Sequence, residues 1–364
     1  MGKEHPAGGD KWLRAREALA MTLIPLPAQP AGTPWPTAQW PQGERLTGPA
    51  AAHLDSAFAP ESMATLGRTD HLFLVQGGRV VYERYGEGQT ADSTFPSWSK
   101  AKSMTHALTG LLVGDGLIDI HAPADVPEWR TPGDPRSEIT LDQLLRMSSG
   151  LKFTEEYLPD QPSDVIAMLF GEGQADTAAF AASFPLLYAP DRYMAYSSGT
   201  TNIISRALAR VLDAYGPDFE AFMRARLFGP LGMTSPVPKF DDAGTFIGSS
   251  FCFCTAADFA RFGLLYLRDG VWDGQRILPE GWVDYARTRT MAVHDEAEPY
   301  GAQWWLGIGG PGSFSANGYD GQYTVVVPDL DLVLVRNGAT PATLKDNLRA
   351  FIGEAVEAVR SATS

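Results

Sequence analysis

Ser97-Trp98-Ser99-Lys100-Ala101-Lys102-Ser103-Met104-Thr105 runs directly into the apolar stretch Ala107-Leu108-Thr109-Gly110-Leu111-Leu112-Val113. Pro96 and Ser97 are helix-start residues, so Ser97 is expected at the N-cap, with Ser99 in the first turn and Lys102 one turn on, on the same face. That spacing sets a hydroxyl beside an amine, under the free N–H groups of a helix N-terminus. The apolar run predicts burial of the rest of the helix. Burial disfavours an ammonium, and a neutral Lys102 amine can take the proton of Ser99.

Two Ser-x-x-Lys matches overlap here, Ser97 with Lys100 and Ser99 with Lys102. With Ser97 spent as the cap, the second pair is the reacting one and Lys100 is expected to point to solvent. Ser-x-x-Lys is also what an ordinary capped surface helix carries, so other stretches must break the tie.

The 364 residues, 44% hydrophobic and 20% charged, suit a globular chain long enough for two packed subdomains. The net charge of −14 is spread without an acidic block or basic stripe, which argues against nucleic acid or an anionic membrane as partner. Apolar stretches fall short of a membrane span, and no basic segment leads into a sustained apolar one: Ala18 to Leu26 is broken by Thr22 and Pro25. A cytoplasmic protein is the expectation. Cys252 and Cys254 lie in an extended run that is expected to turn their side chains to opposite faces, so no disulfide is expected.

Residues 1–60 are rich in Pro, Gly and Ala and read as an irregular lead-in. Leu72 to Gln76, Gly77-Gly78 and Arg79 to Tyr85 read as a hairpin. Helices are expected over Leu141 to Leu145, Asp164 to Phe170, Thr201 to Leu212 and Phe219 to Leu227. Asp258 to Leu267 reads as a further helix, Trp304 to Ile308, Tyr323 to Val327 and Asp331 to Val335 as strands, and Ala342 to Val359 as a last amphipathic helix. The fold class implied is α+β, an α/β sandwich with a mixed, mainly antiparallel sheet flanked by helices. Residues 61–137 and 241–364 would build the sheet domain, and 138–240 an inserted helical one.

Two further stretches carry chemistry. Tyr196-Ser197-Ser198-Gly199 precedes the Thr201 helix, and of twelve tyrosines only Tyr196 has Ser or Asn two places later. A phenol near a serine-lysine pair can relay a proton to a leaving group, although a loop tyrosine capping the next helix would look the same. Ala316-Asn317-Gly318-Tyr319-Asp320-Gly321-Gln322 leads into a buried strand. An acyl-transfer site needs two N–H donors for its oxyanion, and those of Ser99 and Tyr319 are the candidates, with Gly318 allowing close approach of substrate. A plain hairpin turn remains the alternative.

Taken together, Ser99 to Lys102, Tyr196 to Ser198 and Ala316 to Gly318 resemble the serine β-lactamase-like family. That family includes penicillin-binding proteins, β-lactamases, family VIII-type esterases and nylon-oligomer hydrolases. Leu144 to Leu151, Thr255 to Leu267, Gly274 to Trp282 and Gly318 to Gln322 share the likeness, which spans roughly residues 35–360. The resemblance implies a nucleophilic Ser99, Lys102 as its base, Tyr196 in proton transfer and an acyl-enzyme resolved by water, with no cofactor and no metal. One departure is Ala316, where penicillin-active members carry Lys or His. The expected substrate is therefore a small ester or linear amide, with β-lactamase or cell-wall peptidase activity, acyl transfer and a non-catalytic binding module as alternatives.

Tyr157, Trp304, Ser198, Asn317 and Gly318 are the candidate pocket residues. Gly307-Ile308-Gly309-Gly310-Pro311-Gly312 matches a dinucleotide pattern, but Pro311 and the polar run after it predict a loop. The six histidines show no ligand spacing, and Gly-x-Ser-x-Gly is absent. Oligomeric state is not readable from these features.

Overall fold

The computed structural model describes residues 23–157, 163–293 and 298–363. Its centre is a six-stranded sheet of β1 (Arg68–Gln76), β2 (Arg79–Tyr85), β3 (Trp305–Leu306), β4 (Phe314–Gly318), β5 (Gln322–Val327) and β6 (Leu332–Ala339). The order is β2-β1-β6-β5-β4-β3, and every neighbouring pair is antiparallel. Gly77 and Gly78 both have positive φ, 59° and 74°, as a two-residue turn between twisted strands requires.

Alternation along the strands divides the apolar residues between two cores. Phe73, Val75, Val333, Val335, Val326 and Phe314 face the larger one, against α2 (Lys100–Gly114) and α4 (Ala256–Leu267). Leu72, Leu74, Val325, Val327, Leu332 and Leu334 face the other, under α1 (Gly48–Ser56) and α5 (Lys345–Thr363). This is the expected α/β sandwich with a mainly antiparallel sheet. Helices Leu141–Leu145, Asp164–Phe170, Thr177–Ala182, α3 (Ser198–Leu212) and Pro217–Met223 lie between the two strand-forming regions in sequence.

Several details differ from the sequence reading. Helix α1 lies inside the stretch read as irregular, whose residues 1–22 fall outside the described ones. The strand expected over Trp304 to Ile308 shrinks to Trp305–Leu306, and Gly307 to Gly312 form the loop joining it to β4. Cys252 and Cys254 are free, but their sulfurs lie 3.9 Å apart, because alternate residues of an extended run share a face.

The largest correction is at α2. Ser97 is not its N-cap: helical hydrogen bonding begins at Lys100, and Ser99 occupies the cap position with no capping bond from its side chain. Ser97 is instead buried, donating to the Ser250 carbonyl at 3.0 Å and accepting from the Cys252 N–H at 2.9 Å. Nor does Lys100 reach solvent. It is 1% exposed, with Nζ 3.1 Å above the centre of the Phe259 ring and no hydrogen-bond partner among the described residues. Helix α2 is covered on every side, so position 100 has no wet face to occupy.

Candidate active site

The turn before α2 places the hydroxyl. Trp98 takes φ = 44°, a left-handed conformation uncommon for a bulky residue, and the Lys100 and Ala101 N–H groups bond back to the Ser97 and Trp98 carbonyls. Ser99 Oγ, not engaged in capping, lies 3.0 Å from Lys102 Nζ. The amine also lies 2.9 Å from Ser198 Oγ and 3.0 Å from the Ser249 carbonyl oxygen. Burial pushes the Lys102 pKa down to about 8, and the Glu155 carboxylate opposes that shift.

The direction of each hydrogen bond follows from what its partners can do. Glu155 accepts from the Ser198 hydroxyl at 2.5 Å, from the Ser198 N–H at 2.7 Å and from the Tyr157 phenol at 2.9 Å. With its single proton committed to Glu155, the Ser198 oxygen can only accept from Lys102. The Ser249 carbonyl is likewise only an acceptor. A neutral Lys102 amine therefore spends both N–H groups on these two neighbours and turns its lone pair to Ser99. The same carboxylate sits at the N-terminal end of α3, where the helix dipole favours negative charge.

Tyr196 precedes α3, its ring centre 4.7 Å from Lys102 Nζ and its faces packed on Trp305 and edge-on to Tyr300. On the other side, the end of β4 runs against the turn that carries Ser99 so closely that a Cβ on Gly318 would lie 2.3 Å from the Ser97 carbonyl oxygen. Tyr319 follows, its ring edge-on to Trp98 at 5.5 Å. Ser99, Glu155, Tyr157, Tyr196, Asn317, Gly318 and Tyr319 line one cleft of about 380 Å³. The Asn317 side-chain oxygen has no hydrogen-bond partner among the described residues.

Trp304 is not in that cleft. It is 0% exposed and packs on Tyr266, Phe262 and Phe314 in the larger core, while its neighbour Trp305 lines the cleft. Consecutive residues of an extended segment point to opposite sides, and the burial pattern shows which of the two is the core residue. Sequence reasoning also passed over Glu155 and the Ser249 carbonyl. Glu155 stands two residues before Tyr157 in the run Thr154-Glu155-Glu156-Tyr157, but nothing local ties a loop carboxylate to Ser198. No described group of His, Cys, Asp or Glu residues has a metal-binding arrangement.

Sandwich architecture and the placement of the Ser-x-x-Lys pair under a strand edge define the β-lactamase and transpeptidase class of fold. Residues 64–357 match the Beta-lactamase family, and the chain belongs to it. It is 28% identical over 293 residues, 75% of this chain and 73% of the relative, to a 6-aminohexanoate-dimer hydrolase of Paenarthrobacter ureafaciens. A provisionally assigned 6-aminohexanoate-dimer hydrolase from Bacillus anthracis superposes with a TM-score of 0.71 at 20% identity, covering 97% of this chain and 95% of that one. A family VIII carboxylesterase gives 0.63 at 15% identity over 86% and 99% of the two chains.

Proposed function

We propose that the protein is a serine hydrolase that cleaves small carboxylic esters or linear amides through an acyl-enzyme. The observation that carries this reading is the pairing of Ser99 with a buried amine whose other neighbours accept both of its N–H groups. Lys102 takes the Ser99 proton as Oγ attacks the substrate carbonyl carbon. The N–H groups of Ser99 and Tyr319 receive the developing oxyanion, and the Tyr196 phenol passes a proton to the departing alkoxide or amine. Water then attacks the acyl-enzyme as the Tyr196 phenolate takes one of its protons, and the Lys102 ammonium returns a proton to the released Ser99 oxygen, which restores both groups.

Two further observations bear on substrate class. Ala316 is 2% exposed and faces the larger core, so that position supplies no cation for a β-lactam carboxylate. The relatives named above include a 6-aminohexanoate-dimer hydrolase and a family VIII carboxylesterase.

A short-chain p-nitrophenyl ester assay, paired with fluorophosphonate labelling and peptide mapping, tests the reading. Label on Ser99, with turnover reduced by roughly 10³-fold or more in Ser99→Ala, is the expected result. Neither label nor turnover would favour a binding module, and rapid turnover of benzylpenicillin would contradict the substrate class.

A further inference from the structure

Five aromatic rings form a continuous row across the nucleophile turn. Phe170, at the end of its helix, meets Phe251 at a centroid distance of 6.2 Å, and Phe251 meets Trp98 at 5.5 Å. Trp98 meets Tyr319 at 5.5 Å, and Tyr319 meets Tyr157 at 5.0 Å. Only the last two rings line the cleft around Ser99; the row continues past it through Trp98, the residue before the serine, to Phe251 and Phe170. The rings are not simply core. Phe170 is 54% exposed, Tyr319 42% and Tyr157 36%.

Keeping so much contiguous ring surface wet is unfavourable, and such patches beside a cleft mark the place of a ligand. The remainder of the cleft is mixed: Tyr196, Trp305, Tyr323 and Leu348 stand there among the charged groups Glu155, Glu156, Glu298, Asp320 and Lys345. Ser99 thus stands between a purely aromatic flank and one where apolar and charged side chains are interspersed. We infer that the row Phe170, Phe251, Trp98, Tyr319 and Tyr157 seats an aromatic or extended apolar group on one side of the scissile bond. This rests on the hydrolase reading above and deepens it by naming a substrate class.

The test compares kcat/KM for p-nitrophenyl acetate, phenylacetate and octanoate in the wild type, Phe170→Ala, Phe251→Ala and Leu117→Ala. Leu117 is an equally exposed apolar residue outside the row. The expected result is a preference for phenylacetate and octanoate over acetate of about tenfold or more, since seating one such group removes apolar surface worth at least that factor. Phe170→Ala and Phe251→Ala should cut the preference several-fold, and Leu117→Ala should leave it intact. Phe170 is exposed, so its variant carries the test even where Phe251→Ala fails to fold.

Equal preference in all four proteins, with Ser99 labelled, would overturn the aromatic seat and leave the hydrolase reading standing. Binding of 4-phenylbutyramide to Ser99→Ala, measured calorimetrically, needs no chemistry. Loss of that binding in the Phe170→Ala double variant would support the seat even if no ester were hydrolysed, and absence of binding to Ser99→Ala itself would overturn it.

Discussion

At the scale of single residues, Glu155 and Lys102 must be considered as one unit. Removing the Glu155 charge leaves burial unopposed at Lys102, so Glu155→Gln is expected to move the alkaline-rising limb of the kcat/KM profile from about 8 to lower pH. An amide nitrogen would also face the Ser198 N–H, donor against donor, and disturb the hydroxyl that orients the amine. A fall in kcat on the order of 10- to 100-fold should accompany the shift. Profiles of both proteins between pH 6 and 10 check this; equal limbs would remove the positioning role. The wild type should lose activity as pH falls below about 8, because protonation occupies the lone pair.

Lys100 obeys the same physics with no function attached. Burial holds its pKa well below that of a free lysine, while the unfolded chain keeps it near 10.5. The unfolded state therefore binds more protons at neutral pH, and this lysine costs stability that is recovered as pH rises toward 10.5. Lys100→Met should raise stability at pH 7 by about 1 to 4 kcal/mol, read from the urea midpoint, with a smaller gain at pH 10. The two lysines also show the reach of sequence reasoning. The neighbourhood of Ser99 and Lys102 was readable because an i, i+3 spacing is local. The fate of Lys100 was not, because it depends on Phe259, which distant chain brings into place.

At the scale of elements, the site is a meeting of ends: the start of α2, the start of α3 and the last residue of β4. Gly77-Gly78 and the apolar run of α2 announced their elements because turn chemistry and burial are written locally. The contact between β4 and the turn that carries Ser99 is not local and had only Gly318 as its trace. Gly318→Ala is expected to push β4 away from the Ser97 carbonyl, since the added carbon meets backbone. Its kcat/KM should fall on the order of 100-fold, while the melting temperature drops by only a few degrees. A variant with unchanged kcat/KM would show that this contact does not set the geometry. The aromatic row was equally hidden, its five members being drawn from five separate segments.

At the scale of the whole molecule, each face of the sheet is sealed by its own pair of helices, α2 and α4 on one side and α1 and α5 on the other. Ile352 of α5 is fully buried in the core opposite the active site. Ile352→Ala should destabilise by about 2 to 5 kcal/mol in denaturant unfolding while leaving the pH limb in place, because the sheet stands between it and Lys102. The α+β class was legible from strand and helix patterns. The strand order was not, since period-two alternation fixes which side a residue faces but not which strand lies next to it.

The pairing of β1 with β6, Phe73 opposite Val335, has a consequence for how the protein comes into being. Ser99 and Lys102 leave the ribosome long before Gly318 and Tyr319. The β1–β6 pair must wait for a strand more than 250 residues later, a high-contact-order closure that is slow compared with helix formation. A nascent chain holds Ser99 and Lys102 early but lacks the strand edge that completes the proposed oxyanion site. On the proposed mechanism it stays inactive until the sheet closes.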